Sequence, residues 1–404
     1  MNAMESNKQK ILNLVPALRM VLSGEHVKTG SFVPLDQLTE SDPERLGDIL
    51  GCPVPVIGGT PEEAISQAQQ LPYDASVCCF VEALGLLVLS DNHSEVGMRL
   101  EAIRKGGREG RSAEPVTGTQ AHPGTHPRAR KPSADKIIAI TGGGMGFGEG
   151  MARQLFAEGA QVAVLDINEE AGRAVVSDLN SRKTSNRALF VWTDVSDHQS
   201  VAAAVYRIVL EFAGLDVMVS NAGVLKAGSI DEMDPETFDF VTRVNYNGYF
   251  NCVKEAVPVM RSQNRVAPAN FGDIIQINSK SGLVGSKKNF AYAGSKFGGI
   301  GLTHSFAMDL MQDRIKVNSI CPGNYFEGPL WSDPDKGLFV QYLKAGKVPG
   351  ARSVEDVRKH YESMVPAGRG CKPLDVVRAI NYLIEQEYET GQALPVTGGQ
   401  VMLS

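Results

Sequence analysis

Long apolar runs, a strong excess of one charge and cysteine pairs with C-x-x-C spacing are all missing from this 404-residue chain, in which only Cys78 and Cys79 are adjacent cysteines. No apolar stretch reaches the roughly 20 residues of a membrane helix, and the opening MNAMESNKQK lacks the apolar core of a secretion signal. A formal charge of −6 offers no basic surface to nucleic acid or to an anionic membrane. The six cysteines include no C-x-x-C pair, which is typical of reduced thiols. We therefore expect a soluble cytoplasmic protein that binds neither nucleic acid nor membrane.

A segment with almost no large apolar side chains divides the chain. Residues 105–134 are rich in Gly, Pro, Ser, Thr and Arg, and cannot bury enough surface to offset the entropy of ordering. They are predicted to be a flexible linker between a small α/β domain, residues 1–104, and a larger domain, residues 135–404.

The smaller domain has short patterns of both helix and strand. Apolar spacing predicts a helix over residues 11–22, with Pro16 tolerated if it falls in the first turn. Thr60 followed by Pro-Glu-Glu predicts a capped helix that runs to about Gln70. Strands are predicted at residues 75–80 and 84–89, and a closing helix at residues 94–104.

The larger domain alternates short β-branched runs with longer amphipathic stretches. Strands are predicted at residues 136–141, 161–166, 188–194, 216–220, 272–279 and 316–322, and helices include residues 149–158, 200–212 and 292–313. Such alternation predicts βαβ units, and hence an α/β fold with a doubly wound parallel sheet.

A glycine-rich loop follows the first of these strands and opens a helix. Its pattern is T-G-x-x-x-G-x-G, with Gly142, Gly146, Phe147 and Gly148, rather than G-x-G-x-x-G. Residues without a Cβ let the backbone approach a pyrophosphate, and the helix N-terminus favours the anion. The second strand ends at Asp166, which is suited to binding ribose hydroxyls and to repelling a 2′-phosphate. The sequence therefore predicts NAD, with a strand-end aspartate that merely caps a turn as the alternative.

Residues 135–404 resemble the short-chain dehydrogenase/reductase family, whose fold is of the Rossmann type. The resemblance depends on a series of motifs in the family's order: the glycine loop, Asp194-Val195, Ser220-Asn221-Ala222-Gly223, Asn245, Ser279, Tyr292-x-x-x-Lys296 and Pro322-Gly323. The stretches around Ser279 and Lys296 and the ending VTGGQVM are similar to members of the family that oxidise sorbitol 6-phosphate. The Thr that commonly follows Pro322-Gly323 in the family is absent, and Asn324 or backbone groups are the candidates to replace it.

The resemblance implies roles for individual residues. Asn245, Ser279, Tyr292 and Lys296 would form the catalytic set, with Tyr292 as the base. The glycine loop, Asp166, Asp194, Val195, Asn221, Ala222, Gly223, Tyr292, Lys296, Pro322 and Gly323 would bind the cofactor. Tyr292 and Lys296 share a helix face, where the ammonium and a positive nicotinamide would lower the phenol's pKa. Ser279, Tyr292 and Lys280 would contact the substrate. Lys280, Lys287, Lys288 and Arg369 are candidate cations for a phosphate.

The family resemblance leads to one expected function and two alternatives. We expect an NAD-dependent enzyme that oxidises a sugar or polyol phosphate, sorbitol 6-phosphate to fructose 6-phosphate, and that assembles as a homotetramer. The alternatives are a dehydrogenase of lactaldehyde or a similar small carbonyl compound, and an NAD-binding sensor or scaffold.

The smaller domain shows a second, shorter resemblance. Residues 15–20 and 80–90 resemble pieces of a class II aldolase. The H-x-H zinc signature of those aldolases is absent, and His26 and His93 are isolated, so we expect no metal site and a non-catalytic remnant or docking element.

Overall fold

The computed structural model describes residues 3–23, 29–38, 41–50, 54–71, 76–90, 93–104, 130–182, 184–344 and 346–402. The predicted linker lies outside the described residues as far as residue 129, as does His26. We call the described residues between 3 and 104 the N-terminal layer, and those from 130 onward the main domain.

The N-terminal layer is a four-stranded sheet with helices on both faces. Its elements are α1 (Ala3–Leu22), β1 (Thr29–Pro34), α2 (Pro43–Leu50), β2 (Val56–Ile57), α3 (Pro61–Ala68), β3 (Ser76–Val81), β4 (Gly85–Ser90) and α4 (His93–Arg104). The strand order is β1-β4-β3-β2, and only the β2–β3 pair is parallel. One face of this sheet packs on α2 and α4, through Leu46, Val88 and Leu100 among others. The other face packs on α1 and α3.

Two sequence expectations for this layer have different outcomes. Thr60 caps α3 as predicted: its Oγ1 accepts a hydrogen bond of 3.2 Å from Glu63 N, while Glu63 Oε2 accepts one of 2.7 Å from Thr60 N. The expectation that Pro16 lies in a first turn is wrong, because α1 begins at Ala3 and Pro16 is inside it. Residues 14–19 are all buried, so packing on nearly every side of α1 stabilises it despite the proline.

The main domain contains seven strands and ten helices in its described residues. Its strands are β5 (Ile137–Thr141), β6 (Gln161–Asp166), β7 (Ala188–Trp192), β8 (Val217–Ser220), β9 (Gly272–Ile277), β10 (Ile315–Pro322) and β11 (Ala393–Val396). Its helices are α5 (Gly146–Ala157), α6 (Glu169–Asn180), α7 (His198–Phe212), α8 (Pro235–Thr242), α9 (Gly248–Val266), α10 (Phe290–Leu310), α11 (Pro329–Ser332), α12 (Leu338–Lys344), α13 (Val354–Ser363) and α14 (Pro373–Glu385). A π-helical turn, Arg243–Asn247, joins α8 to α9.

The seven strands form one parallel sheet in the order β11-β10-β9-β8-β5-β6-β7. Helices α5, α6 and α14 cover one face, and α7, α9 and α10 cover the other. The predicted doubly wound fold is confirmed. The direction of winding changes between β5 and β8, so a crevice opens beyond their carboxyl ends.

Two further features stabilise the main domain, one on the segment between β10 and α14 and one at the edge of the sheet opposite that crevice. The segment between β10 and α14 has an aromatic core of its own, formed by Phe326, Trp331 and Phe339. At the opposite edge of the sheet, the buried Lys316 Nζ lies 3.0 Å from Asp273 Oδ1 and donates a hydrogen bond of 2.7 Å to Gln386 O. This cation therefore ties the first residues of β9 and β10 to the end of α14.

Candidate functional site

The glycine loop lies at the carboxyl end of β5, where neighbouring atoms leave no room for a side chain at Gly142 and Gly148. Gly142 has φ +63°, and a Cβ there would lie 2.9 Å from Ala222 Cα. A Cβ on Gly148 would collide with the carbonyl oxygen of Gly142 and with the Asn221 amide. Gly146 has φ +59° and faces open space. Met145 is the N-cap residue of α5, and no side chain forms a capping hydrogen bond with the first N–H groups of this helix. The loop and these N–H groups therefore form a cradle that fits a pyrophosphate.

Asn221 joins this loop to the turn after β8. Its backbone N and that of Ala222 donate to Thr141 Oγ1, at 2.9 Å and 3.0 Å. Its side-chain Nδ2 donates to the carbonyl oxygens of Thr141 and Gly142, at 2.8 Å and 3.1 Å. The two loops that border the crevice are thereby held as one surface.

Asp166 is buried at the end of β6, with only 7% of its surface exposed. Its Oδ2 accepts a hydrogen bond of 2.8 Å from Gly144 N, and its Oδ1 accepts one of 2.9 Å from Asn168 N. The capping role weighed as the alternative for this aspartate is therefore present. Each oxygen still has a second lone pair for a further donor.

The expected adenine-site residues lie at the next strand end. Asp194 Oδ1 accepts hydrogen bonds from the backbone N and the hydroxyl of Ser196, at 2.9 Å and 2.7 Å. Val195 is buried against Gly248 at the start of α9, and its carbonyl accepts a hydrogen bond of 2.9 Å from Asn251 Nδ2.

The Ser279, Tyr292 and Lys296 side chains meet in the crevice. Ser279 follows β9, and its hydroxyl lies near the phenol of the half-buried Tyr292, whose pKa it lowers. Lys296 lies one turn further along α10; its Nζ is 5.6 Å from the centre of the Tyr292 ring and donates a hydrogen bond of 2.9 Å to Ile277 O. A phenol, a hydroxyl and an ammonium thus converge beside the glycine loop, an arrangement suited to moving a proton at an alcohol oxygen.

The pKa values of this cluster differ from what the sequence suggested. Burial raises the pKa of Tyr292, and the Ser279 hydroxyl only partly offsets this. Burial also lowers the pKa of Lys296 to about 8. Desolvation is therefore the larger effect on the Tyr292 pKa in the chain alone, and the expected lowering by Lys296 together with a positive nicotinamide stays a prediction.

Asn245, in the π-helical turn, reaches across to the chain after β8. Its Oδ1 accepts a hydrogen bond of 2.8 Å from Val224 N, and its Nδ2 donates to Val224 O and to Ser295 Oγ at 2.9 Å and 3.1 Å. A Cβ added to Gly223 would lie 3.3 Å from Asn245 Oδ1 and 3.7 Å from Lys296 Nζ. Asn245 therefore sets the position of the Asn-Ala-Gly turn beside the lysine.

Tyr325 is a site residue that the sequence reasoning did not single out. It stands two residues after Gly323, and its ring centre is 4.8 Å from that of Phe147 in the glycine loop. Gly328 makes room for it, since a Cβ there would lie 2.5 Å from the Tyr325 ring. An aromatic residue just after Pro-Gly, together with Phe147 between two glycines, was the available signal. This aromatic pair joins the loop after β10 to the cofactor cradle.

The candidate phosphate-binding cations fall into two groups. Lys280 is half-buried beside Ser279, burial lowers its pKa, and no described residue forms a hydrogen bond or ion pair with its ammonium. Arg369 instead forms two hydrogen bonds with Asp375, at 2.6 Å and 3.0 Å, so its charge is already balanced. Lys288 is exposed and lies 3.8 Å from Glu232, and Lys287 is exposed. Lys280 is the candidate cation that remains available beside Ser279, Tyr292 and Lys296.

Other expectations concern metals, thiols and membranes. The described residues contain no group of His, Cys, Asp and Glu side chains that could hold a metal ion. Five cysteines, at positions 78, 79, 252, 321 and 371, are free and buried. Within the described ranges, no helix has the length and apolarity needed to cross a bilayer.

The sequence of this chain is similar to those of known proteins. A family model described as short chain dehydrogenase matches residues 136–330. The chain is 36% identical over 271 residues to sorbitol-6-phosphate 2-dehydrogenase of Escherichia coli (strain K12), a match that covers 66% of this chain and 99% of that protein. It is 33% identical over 273 residues to trans-4-hydroxycyclohexanecarboxylate dehydrogenase of Sinomonas cyclohexanicum, covering 66% and 93% respectively.

A solved structure agrees with these matches. The crystal structure of sorbitol-6-phosphate 2-dehydrogenase from Erwinia amylovora superposes with a TM-score of 0.60 and 36% identity. The alignment covers 66% of this chain and 100% of that one. These relatives therefore correspond in length to about two thirds of the chain.

Proposed function

The chain belongs to the short-chain dehydrogenase family and is an oxidoreductase of that family, and we propose that it uses NAD to oxidise a polyol phosphate, sorbitol 6-phosphate to fructose 6-phosphate. The observation that carries this proposal is the meeting of Tyr292, Ser279 and Lys296 beside an available cation, Lys280. The 36% identity with the Escherichia coli protein named for this substrate supports it.

In the proposed reaction the chain's residues handle the proton and the substrate oxygen. Tyr292, as the phenolate, accepts the proton of the substrate hydroxyl while Ser279 donates a hydrogen bond to the same oxygen. The nicotinamide, when bound, supplies the acceptor for the hydride that leaves the carbinol carbon. The carbinol thus loses a hydride and a proton, and becomes the carbonyl of the product.

Lys296 and Asn245 keep Tyr292 competent. Because burial raises the pKa of Tyr292, the phenolate needs positive charge nearby. Lys296 provides one such charge at 5.6 Å from the ring centre. Asn245 holds the turn beside Lys296, and we propose that it retains a water through which the lysine exchanges its proton with solvent.

The cofactor-binding roles follow the geometry of the crevice. The loop of Gly142, Gly146, Phe147 and Gly148 would hold the pyrophosphate, and Asp194 with Val195 would line the adenine site. Asn221, Ala222 and Gly223, with Pro322 and Gly323, would border the ribose and the nicotinamide. Asp166 would accept hydrogen bonds from the adenosine ribose, and its carboxylate would repel the 2′-phosphate of NADP, which is why we propose NAD.

Lys280 is proposed to bind the phosphate of the substrate. A half-buried ammonium without a partner among the described residues lacks a counter-charge, and a phosphate would supply it. Because it directly follows Ser279, a substrate held by both residues would be fixed at its phosphate and at its reacting hydroxyl.

The function is tested by the absorbance of NADH formed with a panel of polyols and their 6-phosphates. We expect turnover with sorbitol 6-phosphate and NAD, and a much lower kcat/KM with sorbitol or with NADP. Turnover confined to lactaldehyde or a similar small compound would support the alternative dehydrogenase. NAD binding without turnover of any compound would support a sensor and contradict the proposal.

We also propose a homotetramer that packs through its long helices and last strand. Apolar side chains on the outer sides of α9 and α10, Phe250, Phe297 and Met308, are 45%, 45% and 85% exposed in the single chain. A homo-oligomer would bury them. Sedimentation velocity tests this: a monomer at micromolar concentration would contradict it.

A further inference from the structure

Helix α1 lies inside the molecule although it comes from the N-terminal layer. Eight of its apolar residues are at most 9% exposed: Ile11, Leu12, Leu14, Val15, Ala17, Leu18, Val21 and Leu22. They form one continuous core with residues of α7 and α9, such as Val205 and Val257, and with the inner face of the small sheet. The layer therefore covers the outer face of α7 and α9, and the two parts of the chain share a core.

At the centre of this contact lies a charge that has no access to water. Arg19, on α1, is fully buried, and its Nη2 lies 2.5 Å from Oδ1 of Asp216, which is 2% exposed. Its Nη1 donates a second hydrogen bond of 3.4 Å to Oδ2. The guanidinium lies over Gly214, where an added Cβ would come within 2.8 Å of Arg19 Nε. Arg19 is thus seated in the main domain and not at its surface.

Asp216 in turn holds together three elements of the main domain. Its Oδ2 accepts a hydrogen bond of 2.8 Å from Ile137 N, the first residue of β5. Its Oδ1 accepts one of 3.0 Å from Gln263 Nε2 on α9, and Asp216 itself directly precedes β8. Although burial opposes it, the charges of Arg19 and Lys136 hold the pKa of Asp216 below its usual range. The carboxylate is therefore ionised, and its direct ion-pair partner comes from the N-terminal layer.

Two other polar contacts between the two parts differ in burial. Ser31 Oγ donates a hydrogen bond of 2.8 Å to Glu211 O at the end of α7. Arg265 Nη1 lies 3.8 Å from Glu62 Oε1, with both side chains more than half exposed. The exposed Arg265–Glu62 pair contributes little, so Arg19–Asp216 is the stronger of these two ion pairs.

We propose that the N-terminal layer is an in-chain clamp for the dehydrogenase, which covers the α7–α9 face and supplies Arg19 as the counter-ion of Asp216. Removing Arg19 leaves a buried carboxylate without its ion pair, a change far more harmful than the loss of a surface ion pair. The clamp acts on the edge of the sheet opposite the crevice, since β8 lies between Asp216 and Asn221 and the five residue steps between them span about 17 Å. Its loss therefore affects stability and docking and leaves the chemistry intact.

The first test measures thermal unfolding of full-length variants. Arg19→Met is expected to lower the unfolding temperature by on the order of 5 °C or more. The matched control is Arg182→Met, which removes the exposed Arg182–Asp178 pair and is expected to change it by roughly 1 °C or less. Adding Asp216→Asn to Arg19→Met removes the unpaired charge, so the double variant should recover part of the loss. Equal shifts for Arg19→Met and Arg182→Met would overturn the proposal.

The second test asks whether the layer stays docked once the chain is cut. A recognition sequence for a site-specific protease is placed within residues 105–129, and the cleaved protein is run on a size-exclusion column. The wild-type fragments are expected to elute together, and those of Arg19→Met to separate. Separation of the wild-type fragments would overturn the clamp.

Two further readouts guard against ambiguity. Below its unfolding temperature, Arg19→Met should keep kcat within about twofold of wild type, because the change is remote from Tyr292. If Arg19→Met yields no folded protein, the double variant with Asp216→Asn should restore it. Failure of both variants to fold would contradict the assignment of Arg19 as a counter-ion. None of the structural readouts depends on which substrate the dehydrogenase uses.

Discussion

Lys296 donates a hydrogen bond of 2.9 Å from Nζ to the carbonyl oxygen of Ile277, two residues before Ser279. This bond runs from α10 to the last residue of β9, so it aligns the helix that carries Tyr292 with the strand end that presents Ser279. Lys296 therefore has two roles: it places a positive charge near Tyr292, and it holds α10 against the end of β9. A substitution of Lys296 would remove both at once. Tests of the chemistry belong on Tyr292.

Tyr292→Phe is expected to lower kcat by at least about 100-fold, because it removes the group that accepts the substrate's proton. The ring and its packing are retained, so the Kd for NAD, measured by calorimetry, should stay close to that of wild type. A variant with near wild-type turnover would exclude Tyr292 as the base.

Lys280→Met should raise the KM for a polyol phosphate about tenfold or more, and leave the KM for the unphosphorylated polyol nearly unchanged. The reason is that methionine keeps the side chain's bulk and removes only the charge. Lys359→Met, at an exposed pair with Glu355 on α13, serves as the control and should affect neither substrate. Equal increases for both substrates would show that Lys280 does not recognise the phosphate.

Asp166→Asn is expected to reduce the ratio of kcat/KM with NAD to kcat/KM with NADP by about tenfold. The amide keeps one acceptor oxygen, so it can retain one of the two hydrogen bonds from Gly144 N and Asn168 N, and it removes the charge that repels a 2′-phosphate. The ratio is the useful measurement, since any loosening of the glycine loop affects both cofactors. An unchanged ratio would leave Asp166 with its capping role alone.

Tyr325→Ala should raise the KM for NAD about tenfold, with a smaller effect on kcat, because it removes the ring that packs 4.8 Å from Phe147. Tyr388, which is 99% exposed, provides the control substitution to alanine. If the two variants have the same KM, the aromatic pair does not contribute to holding the cofactor.

Asp273 gives the stability of the protein a specific dependence on pH. Burial raises its pKa to about 6, despite the nearby Lys316. The native state therefore binds a proton more readily than the unfolded chain, and this group's contribution to the free energy of unfolding falls as the pH rises from about 4 to about 6. Urea denaturation at pH 5 and pH 7.5 should show a difference attributable to this group, and that difference should be altered in Asp273→Asn. Identical pH dependence in the two proteins would contradict it.

Much of the main domain could be predicted because its information is local in sequence. Each of the six predicted strands appears within about two residues of its expected bounds, since short β-branched runs between turns determine buried strands. The glycine loop and the spacing of Tyr292 and Lys296 are equally local, and the structure brings them to one crevice.

What could not be predicted depends on packing between distant residues. The Arg19–Asp216 pair spans 197 positions, and nothing in the pattern around either residue indicates the other. Strand β1 and helix α2 were not predicted from the sequence. Pro16 was expected in a first turn but lies inside α1, because packing against the main domain outweighs the low helix propensity of proline there. The rise of the Tyr292 pKa on burial could not be predicted for a similar reason: its degree of burial is set by the whole crevice.

The π-helical turn at Arg243–Asn247 adds one residue to an otherwise continuous helix from α8 to α9. One extra residue rotates every following side chain by about 100° around the helix axis. This turn therefore determines how Asn245, which lies beside Lys296, is oriented relative to the side of α9 that packs on α1. A one-residue deletion there would force either the active site or the clamp out of alignment. The number of residues between Asn245 and the part of α9 that contacts α1 is therefore constrained by the candidate site and by the N-terminal layer together. Substitutions along this helix can be tolerated, whereas insertions and deletions cannot.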